Sequence, residues 1–148
     1  MKNKLVISSL VLGFLGFFLA TYLTILDFRH IIPPCSVTGG CETVLTSAYS
    51  KIGPVPVALL GSLFYLGVVL LCVLILTNYK KLFTYLFYGL SMIGFLVSLV
   101  LLYIQAGILH AFCQYCLTSE AISTGILILA FLDFKVRKTT SKNESPKE

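Results

Sequence analysis

Three stretches of this chain contain no Asp, Glu, Lys or Arg: Leu5 to Leu26, Ile52 to Tyr79 and Leu82 to Ser119. A helix needs about 20 apolar residues to cross the hydrocarbon core of a bilayer. The first two runs are each long enough for one crossing. The third is too long for one and must hold a crossing, a loop and the start of another. Crossings are expected near residues 5–26, 57–77, 82–104 and 114–133. The runs are continuous rather than alternating, so they read as helices. Only helices and closed barrels satisfy their backbone in lipid. Composition agrees: 57% of residues are hydrophobic and 11% are charged, against about 25% charged in a soluble domain. The expected fold class is an all-α integral membrane protein, a four-transmembrane-helix bundle. One membrane domain covers residues 1–134, and the polar stretch 135–148 is expected to be a disordered cytoplasmic tail.

The net charge of +5 would suit nucleic acid, but the placement of the charge argues for a membrane instead. Lys2 and Lys4 precede the first helix. Lys80 and Lys81 separate the second from the third. Lys135, Arg137, Lys138, Lys142 and Lys147 follow the fourth. Only Arg29 and Lys51 fall in the first long loop, and the loop near 105–113 has no Lys or Arg. The positive-inside rule makes the lysine-rich side cytoplasmic. A multi-pass protein of the cell (inner or plasma) membrane follows, with both termini inside and the loops at 27–56 and 105–113 outside. The first helix has a basic start, but its apolar run exceeds a signal-peptide core of about 7–15 residues. It is expected to be retained.

The segment from Asp27 to Pro56 is the one sizeable non-spanning region. Pro33-Pro34, Gly39-Gly40 and the run Gly53 to Pro56 mark turns in it. Between them, Glu42 to Ser50 places Val44, Leu45 and Ala48 at helical spacing. A short amphipathic helix on the membrane surface is expected there.

Four of the five cysteines fall in the two outer loops: Cys35 and Cys41 as C-x5-C, Cys113 and Cys116 as C-x2-C. On that side disulfides persist. Cys113-Gln-Tyr-Cys116 opens the fourth helix, where unpaired N–H groups and the helix dipole favour an anion. A thiolate is stabilised there and the pair becomes reactive. Four cysteines allow three pairings. The spacing favours Cys35–Cys41 and Cys113–Cys116 as resting disulfides, with exchange through a mixed disulfide. Two blander readings are a zinc site and purely structural disulfides. A C-x-x-C loop is a poor staple, because so short a loop gains little closure entropy. Cys72, among Leu and Val of the second helix, reads as an apolar packing residue.

A thiol relay in a membrane needs an electron acceptor or donor that lives there. A lipid quinone, ubiquinone or menaquinone, is the natural candidate, met by Cys116, and no metal is expected. Few polar residues could bond its carbonyls. Ser47 lies on the expected surface helix. Glu120 lies one turn beyond Cys116 on the same face, and a carboxylate at the membrane boundary is a functional candidate by default. Its plain alternative is a snorkelling interfacial residue. His110 suits either proton movement or a solvated loop. Gln105 reads as a helix cap, and Tyr65, Tyr103 and Tyr115 as interfacial anchors.

The pattern resembles the vitamin K epoxide reductase family in its bacterial form. The resemblance is carried by Cys35 and Cys41, by Ser47 six residues after the second Cys, by Pro56, Gly61 and Tyr65 opening helix two, and by Cys113-Gln-Tyr-Cys116 opening the last helix. It covers about residues 5–134. It implies a four-helix bundle around a quinone, exchange between Cys113 and the loop pair through Cys41, and Cys116 facing the quinone. Ser47 matches the Ser of the family's surface helix. Many bacterial members carry a fused thioredoxin-like domain. Here a separate secreted, thioredoxin-fold, DsbA-like partner is expected. The animal enzymes have Tyr where this chain has Glu120. The DsbB family also has four helices and two cysteine pairs, but its C-x-x-C lies in the first outer loop.

The expected function is a quinone-dependent thiol-disulfide oxidoreductase supporting disulfide-bond formation, with Cys35, Cys41, Cys113 and Cys116 catalytic and Ser47 and Glu120 binding quinone. Two alternatives stand beside it. One is a non-catalytic membrane subunit with structural disulfides. The other is a quinone or vitamin K epoxide reductase working in the opposite physiological context.

Overall fold

A computed structural model describes residues 2–35, 39–78 and 80–143. Four long helices dominate it: α1 (Lys2–Phe28), α3 (Val57–Thr77), α4 (Lys81–Tyr103) and α5 (Gln114–Asn143). The short helix α2 (Cys41–Leu45) lies in the connection between α1 and α3. All four long helices hold stretches apolar and long enough to cross a bilayer. α1 packs on α3 and α5, and α4 packs on the same two, closing a ring. The all-α four-helix architecture expected from the charge-free runs is the one observed.

The ring encloses Val6, Ala20, Tyr65, Val68, Cys72, Phe87, Ile126 and Ala130. Cys72 sits among them as a packing residue. Large apolar side chains such as Phe18, Leu63, Ile93 and Phe131 point outward. In water so many exposed apolar groups would cost about 25 cal/mol per Å². Against lipid they need no cover. Several hydroxyls inside the helices bond back to their own turns, as Ser9 does to Leu5, Thr24 to Ala20 and Ser91 to Phe87. This satisfies a polar group where water is absent.

α1 ends in a Schellman turn. The amide of Ile31 donates to the Leu26 carbonyl at 3.0 Å and that of His30 to Asp27 at 3.1 Å. His30 takes the left-handed conformation, φ 53°, that glycine usually supplies at this position. The chain then enters the cysteine loop. After α2 it passes a single turn of 3-10 helix, Ala48–Ser50, and a two-residue hairpin. β1 (Lys51–Ile52) pairs antiparallel with β2 (Val55–Pro56), Lys51 opposite Pro56. The turn between them needs Gly53 at φ 64°, as a tight hairpin does.

Three expectations change. The surface helix over Glu42 to Ser50 breaks after Leu45, and Ser47 lies between α2 and the 3-10 turn. Its hydroxyl donates to the Val44 carbonyl at 2.7 Å, an alternative to continued helix. The third spanning segment does not stop at 104 but runs into a wide turn, Ile104–Ile108. There the Leu109 amide bonds Ile104 at 2.9 Å. The tail expected to be disordered from 135 is helical through Asn143, supported by Arg137 on Asp133 and by the Thr139 hydroxyl on the Lys135 carbonyl. Residues 144–148 lie outside the described residues. A charged residue ends the apolar window without ending the helix.

Candidate functional site

Cys113 is the N-cap of α5. Its carbonyl accepts the Leu117 amide at 2.9 Å. Its sulfur accepts the amide of Cys116 at 3.4 Å. That amide belongs to the third residue of the helix, where an N-cap side chain normally finds its donor. The Cys113 thiol is held down to about 7, from an ordinary 9.0. The hydrogen bond from the Cys116 side chain is the largest cause. Burial works against it, and the backbone N–H groups of Cys116 and Tyr115 add to it. Cys113 is fully buried and Cys116 partly so. Both are free thiols, whereas the spacing had favoured a second disulfide.

Cys35 and Cys41 are joined as a disulfide. Cys41 opens α2 and has no exposed surface. Two contacts seat this loop on the C-x-x-C. The Tyr115 hydroxyl donates to the carbonyl of Pro34, next to Cys35, at 3.1 Å. On the other side, the backbone of Gly40, next to Cys41, lies against that of Phe112, next to Cys113. A methyl group on Gly40 would sit 2.7 Å from the Phe112 carbonyl oxygen and 2.8 Å from its nitrogen. The chain approaches itself here as only glycine allows.

Glu120 is buried, 8% exposed. Its Oε1 accepts from the side-chain amide of Gln105 at 2.7 Å. The Gln105 oxygen in turn accepts the backbone amide of Cys113 at 3.0 Å. The snorkelling alternative for Glu120 fails on that burial. Gln105 is also not a cap: it sits in the wide turn after α4 with 2% exposure. Such turns are rare and occur often at functional sites. This one swings Gln105 inward, and His110 at φ 48° then turns the chain towards Cys113.

Ser47 stands elsewhere. It lines a cavity of about 360 Å³ between the end of α1 and the cysteine loop, with Leu23, Asp27, His30 and Lys51. Asp27 and Lys51 form an ion pair there at 3.1 Å. Glu120 is not part of that lining, so the two residues expected to share a ligand do not share this cavity. Among the described residues no three His, Cys, Asp or Glu side chains gather as a metal site would require.

A comparison with protein families matches residues 7–131 to the vitamin K epoxide reductase family. The chain belongs to that family. As a vitamin K epoxide reductase relative it is a membrane oxidoreductase. The match reaches all four long helices and holds both cysteine pairs. Tyr115 and Tyr65, read from sequence as interfacial anchors, have more specific places in this family member. Tyr115 ties the cysteine loop to α5. Tyr65, 1% exposed, donates to the Ser119 carbonyl at 2.7 Å, fixing the first turns of α5 against α3.

Proposed function

We propose that this protein passes electrons from a secreted thioredoxin-fold, DsbA-like protein through Cys35–Cys41 and Cys113–Cys116 to a lipid quinone, ubiquinone or menaquinone. The reading rests on one observation above others. Gly40 and Phe112, each preceding a buried cysteine, are in backbone contact, so Cys41 and Cys113 are the members of the two pairs best placed to exchange. The partner's dithiol reduces Cys35–Cys41 and leaves as a disulfide. The Cys41 thiol and the oxidised C-x-x-C then exchange through a Cys41–Cys113 mixed disulfide. This regenerates Cys35–Cys41 and leaves Cys113 and Cys116 as thiols. Their reoxidation sends two electrons to the quinone, which takes up two protons as hydroquinone. The family's use of quinones as substrates supports this last step.

In this proposal the lysine-rich end of the bundle faces the cytoplasm and both cysteine pairs face outward, by the positive-inside rule. Residues 1–134 act as the redox domain, and 135–148 follow it as a cytoplasmic extension. Cys116 delivers electrons and Glu120 meets the quinone. Ser47 contributes from the loop when the acceptor enters beside α1. The test is quinone reduction by purified protein, supplied with a reduced thioredoxin-fold oxidase and a short-chain quinone and followed by quinone absorbance. Turnover is expected in the wild type and none in Cys41→Ala, Cys113→Ala or Cys116→Ala. Full activity in Cys116→Ala would overturn the assignment.

A further inference from the structure

Gln105 links the C-x-x-C to Glu120, and its geometry decides which oxygen of Glu120 can carry a proton. The backbone N–H of Cys113 can only donate. The Gln105 group facing it, at 3.0 Å, must therefore be the amide oxygen. That fixes the amide's other end, the NH₂, towards Glu120, where Oε1 accepts at 2.7 Å. An NH₂ group can only donate, so Oε1 must be an acceptor whether Glu120 is ionised or neutral. Any proton on Glu120 is thereby confined to Oε2. That oxygen is buried and has no hydrogen-bond partner. An orphaned oxygen on a buried carboxyl is costly unless something else comes to it.

We propose that Gln105 is a positioning residue that confines the Glu120 proton to Oε2, and that Oε2 takes the proton of the Cys116 thiol as that thiol gives up its electrons. Glu120 follows Cys116 by four residues on one face of α5, so the two side chains are neighbours. The titratable groups facing the carboxyl are the thiols of Cys113 and Cys116 and, from α3, the Tyr65 hydroxyl. Tyr65 is engaged with Ser119, and Cys113 with the start of α5. The Cys116 thiol, which rests as a donor to Cys113, is the group left to pass its proton to Oε2 as the Cys113–Cys116 bond forms and that acceptor is lost. The inference rests on the proposed role of Cys116 as the electron-delivering cysteine.

Closing Cys113–Cys116 releases two electrons and two protons. The electrons go to the quinone. Glu120 takes the Cys116 proton on Oε2 and passes it to an oxygen of the reduced acceptor. The Cys113 proton leaves to water at the membrane surface, which also supplies the second proton of the hydroquinone. Glu120 ends as a carboxylate, ready for the next cycle.

The experiment uses the full-length protein in detergent or lipid, with neither quinone nor partner. Cys113→Ser isolates Cys116, and its alkylation rate is measured across pH. A proton shared between Cys116 and Glu120 gives a profile with two limbs, because coupled groups titrate as a pair. Glu120→Gln should collapse it to one. Gln105→Met removes the donor that holds Oε1 as an acceptor, so the limb that Glu120→Gln abolishes should be displaced. Gln105→Glu is the conservative rescue. Its carboxyl bridges Cys113 and Glu120 while the carboxyl pair shares a proton, so two limbs should persist at low pH and be lost once that proton leaves. Two outcomes overturn the proposal: an unchanged profile in Glu120→Gln, or uniform slowing in Gln105→Met with neither limb displaced. Because no acceptor is present, these results stand apart from the quinone assay. Absence of quinone turnover in the wild type would sink the proposed function, while the alkylation profile alone decides the proton assignment.

Discussion

The backbone amide of Cys116 points at the sulfur of Cys113, 3.4 Å away, so the C-x-x-C caps its own helix. The Cys113 thiol, brought down to about 7, is neutral and slow below that pH and a thiolate above it. Its alkylation in the dithiol protein should rise through a midpoint near pH 7, with about fiftyfold more thiolate at that pH than an ordinary cysteine at 9.0 has. The largest cause is the Cys116 side chain. Cys116→Ala should therefore move the midpoint up towards 9, while Cys116→Ser, which still donates, should hold it low. A midpoint unmoved by Cys116→Ala would show that the helix amides alone suffice.

Gly40→Ala is the sharpest test of how the two pairs meet. The added methyl would lie 2.7 Å from backbone atoms of Phe112, which cannot swing aside as a side chain can. The loop has to lift away from the C-x-x-C. A displacement of about 1 Å between reacting groups costs on the order of a hundredfold in rate. The Cys41–Cys113 disulfide, formed in a Cys35→Ala, Cys116→Ala background with oxidised glutathione supplied as the two-electron oxidant, should form about that much more slowly. The Cys35–Cys41 bond should still close when its own cysteines are intact. Gel mobility after thiol labelling reads both quantities.

The bundle was legible because lipid imposes a coarse rule. Spans must be long, apolar and uncharged, and the runs at 5–26 and 52–79 obey it openly. The cysteine pairs were legible because spacing and the helix start carry their chemistry. Gln105 was not. One amide at the end of an apolar run looks the same whether it caps a helix or bridges two groups eight and fifteen residues away. The wide turn at Ile104–Ile108 decides between these, and it has no composition signal. Tyr115 hid for a similar reason, since an interfacial anchor and a hydrogen bond to Pro34 call for the same residue. That the cavity beside Ser47 leaves out Glu120 was hidden as well, because periodicity cannot show that a short helix breaks at Leu45.

Tyr65 and Gly16 form a second close approach, where a methyl on Gly16 would overlap the Tyr65 ring. Gly16→Ala should destabilise the bundle by about 1–3 kcal/mol through overpacking. It should also weaken the Tyr65 bond to Ser119. Tyr65→Phe removes only the hydroxyl's two contacts with Ser119, to its carbonyl and its Oγ, and should cost about 0.6 kcal/mol for each, the average for hydrogen bonds between membrane helices. Unfolding by added detergent should rank the variants in that order. If Tyr65→Phe proved the worse of the two, the hydroxyl would have a role beyond orienting α5.

At the lysine-rich end, Asp133 is 1% exposed and pairs with Arg137 one turn later, with the Arg137 Nε donating at 2.6 Å. The other carboxyl oxygen of Asp133 is buried without a partner. Removing one member of a buried pair leaves the other as an uncompensated charge and costs about 3–5 kcal/mol. Arg137→Met keeps the side chain's length and helix preference while removing the charge, so it should destabilise by roughly that amount. Asp133→Asn, Arg137→Met together should recover part of the loss, because neither a carboxylate nor a guanidinium then remains to be buried. The detergent midpoint of the double variant should lie above that of Arg137→Met. A double variant no more stable than the single would mean that Asp133 is held mainly by groups other than Arg137.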